Sequence, residues 1–265
     1  MVIYLMQCKI QGKIFDTHAH YDDEAFFEDR DETLKKINDE GIYAVVNAGV
    51  DISSSEESIK LSEKYDFVYA AVGVHPQNVE NLDKNYLSKL RELIETKKNK
   101  IVAIGEIGLD YHTEPPNKEL QKKIFKEQIL LAKYYNLPVI IHSRDANNDS
   151  FNLIKECKPK GIVHCFLGNV DSAKELIKLG VYIGVGGVVT FKNAQNLVEV
   201  VKNIPLDNIV LETDCPYMAP VPFRGKRCDS SMIIYIAQKI SDLKNESLET
   251  VLNKTKENAK LIFKV

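Results

Sequence analysis

Pro138-Val139-Ile140-Ile141-His142 and, one element later, Gly161-Ile162-Val163-His164 share a form: a short apolar, β-branched run that ends on a histidine. Continuous apolar runs of this length are the mark of strands buried on both faces of a parallel sheet. The same kind of run recurs along the chain, and the spacing predicts strands over 14–17, 43–48, 67–73, 101–105, 139–141, 161–164, 181–185 and 208–212. Between them lie helical periodicities: Leu87, Leu90 and Ile94; Phe125, Ile129 and Ala132; Ala173, Leu176 and Ile177. Gly41 and Gly180 sit where a helix would stop and hand over to the next strand. Beyond the last strand, Ile233, Ile236, Ala237 and Ile240 continue as a helix, and Leu248, Val251, Leu252 and Ile262 form a final amphipathic segment expected to close an outer ring.

Strand–helix alternation alone fits either a doubly wound sheet or a closed barrel. The residues at the ends of the runs decide between them. His18, His20, Glu106, His142, His164 and Asp214 are all types that bind divalent metal, and they fall at the ends of predicted strands one, four, five, six and eight. A closed barrel gathers those ends around one rim, where such barrels keep their chemistry, whereas an open sheet spreads them out. The expectation is an α/β fold, a TIM (β/α)8 barrel, with residues 1–265 as a single metal-dependent hydrolase domain.

The chain has 265 residues, 44% of them hydrophobic and 28% charged, which suits one large soluble barrel. A net charge of -3 argues against a surface coated in positive potential but allows a local basic rim. Cys8, Cys157, Cys165, Cys215 and Cys228 are odd in number and form no C-x-x-C pair, as in a reducing compartment. The apolar run 2–6 is too short for a signal peptide and no stretch approaches a membrane span, so a cytoplasmic location is expected.

Each metal-type residue has a plainer reading. An isolated H-x-H is usually two part-exposed histidines. His18-Ala19-His20, however, comes directly off an apolar run, where residues two apart point the same way, with Asp16 and Asp22 as nearby acceptors for the ring nitrogens. Glu106 sits between Gly105 and Gly108 at a predicted strand exit, where packing gives a carboxylate no role but one able to span two ions fits. A single histidine at a strand end is usually a satisfied core residue; two on consecutive strands shift the reading toward metal. Asp214 can bind metal and accept a proton from water, so Asp214 and Glu106 are the catalytic candidates. His75, in Gly73-Val74-His75-Pro76, is read as a phosphate or substrate contact, with a loop histidine as its alternative. Arg144, Arg224 and Lys226 would meet an anionic substrate at the mouth, though basic residues are also common on any surface. His112 has at most a rim contact, Cys215 has no base pattern to make it a nucleophile, and the other cysteines read as small apolar fillers.

These motifs resemble those of the TatD family of metal-dependent deoxyribonucleases, within the amidohydrolase superfamily. The likeness runs through Asp16-Thr17-His18-Ala19-His20, Gly73-Val74-His75-Pro76, Gly105-Glu106-Ile107-Gly108-Leu109-Asp110-Tyr111, His142-Ser143-Arg144, His164-Cys165-Phe166 and Glu212-Thr213-Asp214-Cys215-Pro216-Tyr217. It covers nearly the whole chain and implies a TIM barrel with two divalent ions, zinc, magnesium or manganese. One would be held by His18, His20, Glu106 and Asp214, the other by Glu106, His142 and His164. The implied activity is metal-dependent hydrolysis of phosphodiester bonds by activated water, as a 3′-exonuclease on single-stranded DNA. Cleavage of an ester or amide such as aminoacyl-tRNA is the alternative, and a non-catalytic nucleic-acid-binding barrel a remote one. A nucleic acid substrate is thus the expected partner, with no membrane and no obligate protein partner. The chain departs from the family at Phe223, where histidine is frequent, and at Cys228-Asp229-Ser230, where asparagine, an acid and proline are frequent; both bear on substrate preference at the rim.

Overall fold

The computed structural model describes residues 12–80, 82–97, 99–112 and 116–265; Cys8 and the run 2–6 lie outside them. Eight strands, β1 (Ile14–Ala19), β2 (Ile42–Ala48), β3 (Val68–Val72), β4 (Ile101–Asp110), β5 (Val139–Arg144), β6 (Gly161–Val163), β7 (Val181–Val185) and β8 (Ile209–Leu211), pair in sequential order. All seven pairings are parallel. A parallel bridge between Ala19 and Cys215 brings the last strand back to the first, so the sheet is a nearly closed barrel. Helices α1 (Arg30–Asp39), α2 (Ile52–Lys64), α3 (Tyr86–Thr96), α4 (Lys118–Tyr135), α5 (Asn147–Cys157), α6 (Val170–Lys178), α7 (Gln195–Asn203), α8 (Ile233–Lys244) and α9 (Leu248–Phe263) alternate with the strands and follow the last one. Gly41 and Gly180 follow the first and sixth of these helices in the left-handed conformation, as read from the sequence.

Alternation along each strand splits the apolar residues into two bodies. Ile14, Val45, Ile141, Val163 and Leu211 face the helix layer and pack with Leu34, Leu90, Ile129 and Leu176. The residues between them, Phe15, Val46, Ala71, Ala103, Ile140, Ile162 and Val210, form a separate cluster that fills the barrel interior. Ala259, Ile262 and Phe263 join that interior cluster, and the Phe263 ring lies 5.8 Å from that of Phe15. The last helix therefore stoppers one end of the barrel as well as completing the ring, a role its periodicity did not reveal.

Two strands run further than expected. β4 continues through Glu106 to Asp110, and β5 continues through His142 to Arg144, because the two stay paired along Ile107↔Ile141, Gly108↔His142 and Asp110↔Arg144. A Cβ on Gly108 would stand 1.9 Å from the His142 carbonyl oxygen, and its φ is +150. Here glycine permits the close approach of two strands where the sequence reading placed a strand exit. Among the described residues, no helix is long and apolar enough to cross a membrane.

Candidate metal centre

The seam between β1 and β8 sets the first part of the site. His18 lies inside β1 and His20 just beyond it, while Asp214 follows β8 in the left-handed conformation at φ 60. The Asp214 N–H donates to the His18 carbonyl at 3.0 Å, and the His20 N–H donates to the Cys215 carbonyl at 2.8 Å. Below them Asp16 is wholly buried and accepts from Thr213 N–H (3.0 Å), Thr213 Oγ1 (2.6 Å) and Ser230 Oγ (2.7 Å). Burial pushes the Asp16 carboxyl up to about 6 against the pull of these hydrogen bonds. The expectation that Asp16 and Asp22 would accept from the ring nitrogens fails. Asp16 is spent on the seam, Asp22 accepts from Asn47 Nδ2 at 2.7 Å, and His20 Nδ1 instead meets the Ala48 carbonyl at 2.9 Å.

Glu106 stands between two pairs of histidines, with one oxygen toward each. Its Oε1 is 2.7 Å from His142 Nδ1 and 2.8 Å from His164 Nε2; its Oε2 is 3.4 Å from His18 Nε2 and 3.6 Å from His20 Nε2. Asp214 Oδ1 lies 3.5 Å from Nε2 of both His18 and His20. All six sequence candidates for metal thus meet in one place, with nitrogen and oxygen atoms converging on two sides of a single carboxylate.

The charges are strongly coupled. Burial raises the carboxyls of Glu106 and Asp214, but the surrounding imidazoles outweigh it and hold both below the ordinary range. Burial opposes charge on the histidines, yet Glu106 and Asp214 lift His18 well above its usual value and raise His20. His142 rises to about 9, burial being overcome by Asp110 and Glu106. His164 goes the other way, to about 4, through burial and the neighbouring charge of His18.

The donor set fits divalent metal. His18 Nε2 and His20 Nε2 face each other at 2.9 Å, where two lone pairs need a proton or a cation between them. His18, His20 and Glu106, and likewise His18, His164 and Asp214, bring ligand atoms within 4.8 Å of one another. Imidazole nitrogen with carboxylate oxygen suits zinc or manganese better than magnesium, which prefers oxygen and retained water. His75 also comes close, with Nε2 3.4 Å from Glu106 Oε1. Its Nδ1, however, accepts from the Gln77 N–H at 3.2 Å, so in the neutral ring the proton sits on Nε2. His75 therefore presents a donor to the centre rather than a lone pair.

A cavity of about 700 Å³ opens above these groups, lined by His20, Asp22, Asp23, His75, Glu106, Asp110, His142, Arg144, His164, Cys165, Leu167, Asp214, Tyr217 and Met218 among others. Arg144 reaches this wall. Arg224 and Lys226 are not among its lining residues; the Arg224 guanidinium lies 3.8 Å above the Phe191 ring. His112 pairs with Asp145 at 3.0 Å outside it. Phe223 packs edge-on against Tyr235, and Cys228 is wholly buried.

Two residues had no role of their own in the sequence reading, and a third, Cys165, was read as an apolar filler. Asp110, fully buried, lies 3.3 Å from His142 Nε2; its signal was even spacing from Glu106 along one strand. Glu212, quoted from the sequence only beside Asp214, is buried with its carboxyl pushed up to about 8 by burial, and accepts from the Cys165 N–H. Cys165 lines the cavity instead of filling the core.

The whole described barrel matches one family: the model described as TatD related DNase aligns with residues 15–264. The chain is 42% identical over 255 residues to the metal-dependent hydrolase YabD of Bacillus subtilis, covering 95% of this chain and 99% of that protein. The crystal structure of YjjV, a TatD homologue from Escherichia coli, superposes with a TM-score of 0.91 at 31% identity, over 96% of this chain and 98% of that one. A TatD family hydrolase from Entamoeba histolytica gives a TM-score of 0.85 at 29% identity, over 94% and 97%. With its converging histidines and acids at the rim of an eight-stranded barrel, this chain belongs to the TatD family and is a metal-dependent hydrolase.

Proposed function

We propose that this hydrolase is a deoxyribonuclease that removes nucleotides from the 3′ end of single-stranded DNA in the cytoplasm, using two divalent cations. The observation that carries the reading is Glu106, whose two oxygens face separate histidine pairs. One cation would be held by His18, His20, Glu106 and Asp214, the other by Glu106, His142 and His164. Bound there, the pair would supply Lewis acidity to a phosphodiester and lower the pKa of water.

The chain's own groups divide the remaining work. Glu106 and Asp214 stay ionised, and Asp214 takes the proton of the attacking water. His75 donates from Nε2 to a phosphate oxygen, and Arg144 pairs with a flanking phosphate. Leu167, Tyr217 and Met218 line the cavity yet are 53%, 55% and 44% exposed, which offers apolar faces for unpaired bases. Cys157, Cys165, Cys215 and Cys228 are free thiols, in keeping with a reducing compartment.

The test is digestion of a 5′-labelled single strand by protein stripped of metal and reloaded with zinc or manganese. A ladder that shortens from the 3′ end, with duplex resistant, is expected. An intact strand beside rapid loss of the amino acid from charged tRNA would make the protein an aminoacyl-ester hydrolase instead.

A further inference from the structure

Histidine can meet a metal through either ring nitrogen, and which one it uses is set by what the other nitrogen touches. For His142 that second contact is Asp110, whose Oδ2 lies 3.3 Å from Nε2 while Nδ1 faces Glu106 and His164. Asp110 is not a loosely placed acid. It is fully buried in β4, and its Oδ2 also accepts from Gln77 Nε2 at 2.9 Å. Its Oδ1 accepts from the His112 N–H at 2.9 Å. Its main chain is clamped as well: the Asp110 N–H donates to Gln121 Oε1 and its carbonyl accepts from Gln121 Nε2, each at 2.9 Å. Both oxygens are therefore met by donors, and the carboxylate has only acceptor sites to offer His142.

Gln77 completes the arrangement from the loop after β3. Its N–H donates to His75 Nδ1 at 3.2 Å, and its side-chain amide donates to Asp110. One residue thus faces two rings and orders them in opposite senses. His75 is turned proton-first toward the centre, and His142, through Asp110, is turned lone-pair-first.

We infer that Asp110, held by Gln77, is a positioning residue that fixes His142 as a metal ligand through Nδ1. The inference rests on His142 binding one of the two ions, and is independent of which bond the enzyme cleaves. Asparagine in place of Asp110 cannot serve, since its amide would have to point its N–H groups at Gln77 and His142 or at the His112 N–H.

The experiment measures ion affinity by competition with a chromogenic chelator, for wild type, His142→Ala, Asp110→Asn and Gln77→Leu. Wild type should show two binding steps and His142→Ala should lose one. Asp110→Asn should weaken that same step by roughly 10–100-fold and leave the other in place, as outer contacts to ligating histidines generally do. Gln77→Leu, at an exposed position, should shift the same step in the same direction by less, which covers the case of an unstable Asp110 variant. In the zinc-loaded protein, the Nε2 proton of His142 should give a slowly exchanging downfield resonance in wild type that is lost in Asp110→Asn. Unchanged affinity together with a retained resonance in Asp110→Asn would overturn the positioning role. A His142→Ala protein that still binds both ions as wild type does would overturn instead the ligand assignment beneath it.

Discussion

The main-chain hydrogen bond from Asp214 N–H to the His18 carbonyl, 3.0 Å long, closes the barrel and aligns two metal-type side chains in one stroke. Beneath it, Asp16 joins Thr213 of the β8 side and Ser230 near α8 to the β1 strand on which it lies. Seam and site are the same structure here, so damage to the seam should read out in both.

Asp16→Ala orphans several buried donors at about 1–3 kcal/mol each, and should lower stability by ~3 kcal/mol or more. Asp16→Asn should cost less and should also change the pH dependence of the metal-free protein. The Asp16 carboxyl is raised from 3.8 to about 6 in the fold, so its contribution to stability is present below the ordinary carboxyl pKa and is lost as pH rises through about 6. At 1.36 kcal/mol per unit that amounts to ~3 kcal/mol, which the neutral amide does not lose. Urea unfolding of both proteins at pH 4 and pH 7 measures it; equal slopes with pH would contradict the assignment.

Metal uptake should release protons. In the metal-free protein His142 stands at about 9, so its ring carries a proton at pH 7 that a cation must displace, and Glu106 and Asp214 shift His18 and His20 in the same direction. Affinity should therefore fall as pH drops from 9 to 6. Calorimetric titration with zinc at pH 7, in two buffers of different ionisation enthalpy, should give apparent heats that differ in proportion. Identical heats would mean the rings are already neutral.

The candidate ligands were legible because they end or interrupt apolar strand runs: His142 and His164 stand out against Val-Ile-Ile and Gly-Ile-Val. What those ligands lean on was not. Whether Asp16 accepts from an imidazole or from Thr213 depends on how β8 approaches β1, and no local pattern encodes that. Asp110 was hidden for a related reason. Two glycines looked like a strand exit, whereas Gly108 in fact lets β4 and β5 stay paired past His142. Arg224 and Lys226 were judged by position in the sequence, but the direction of a long loop follows from contacts such as Arg224 on Phe191.

Binding of the proposed substrate, single-stranded DNA, should require metal. The cavity wall carries Asp22, Asp23, Glu106, Asp110 and Asp214, and among the described lining residues Arg144 is the one arginine or lysine. Without metal, that wall offers a polyanion little beyond Arg144 and protonated imidazole at its centre, whereas two divalent cations would supply strong positive charge there. Fluorescence anisotropy of a labelled single strand should show binding to zinc-loaded protein and loss of it after chelation. Equal affinity in the two states would place the DNA elsewhere on the molecule.

The proposed selectivity for single strands should reside in the exposed apolar wall rather than in the candidate metal ligands. Tyr217 is tethered through its hydroxyl to Asp23 at 2.7 Å, which holds its ring at the cavity mouth, and Leu167 and Met218 line the same cavity. A base stacked on such a side chain contributes about 1–3 kcal/mol, and only an unpaired base can leave its own helix to do so. Tyr217→Ala should accordingly raise KM for single strands by roughly 5–150-fold with kcat little changed, while Tyr217→Phe, which keeps the ring but not the tether, should fall between. If Tyr217→Ala instead lowered kcat at constant KM, the ring would be acting on the reacting phosphate and not on the base.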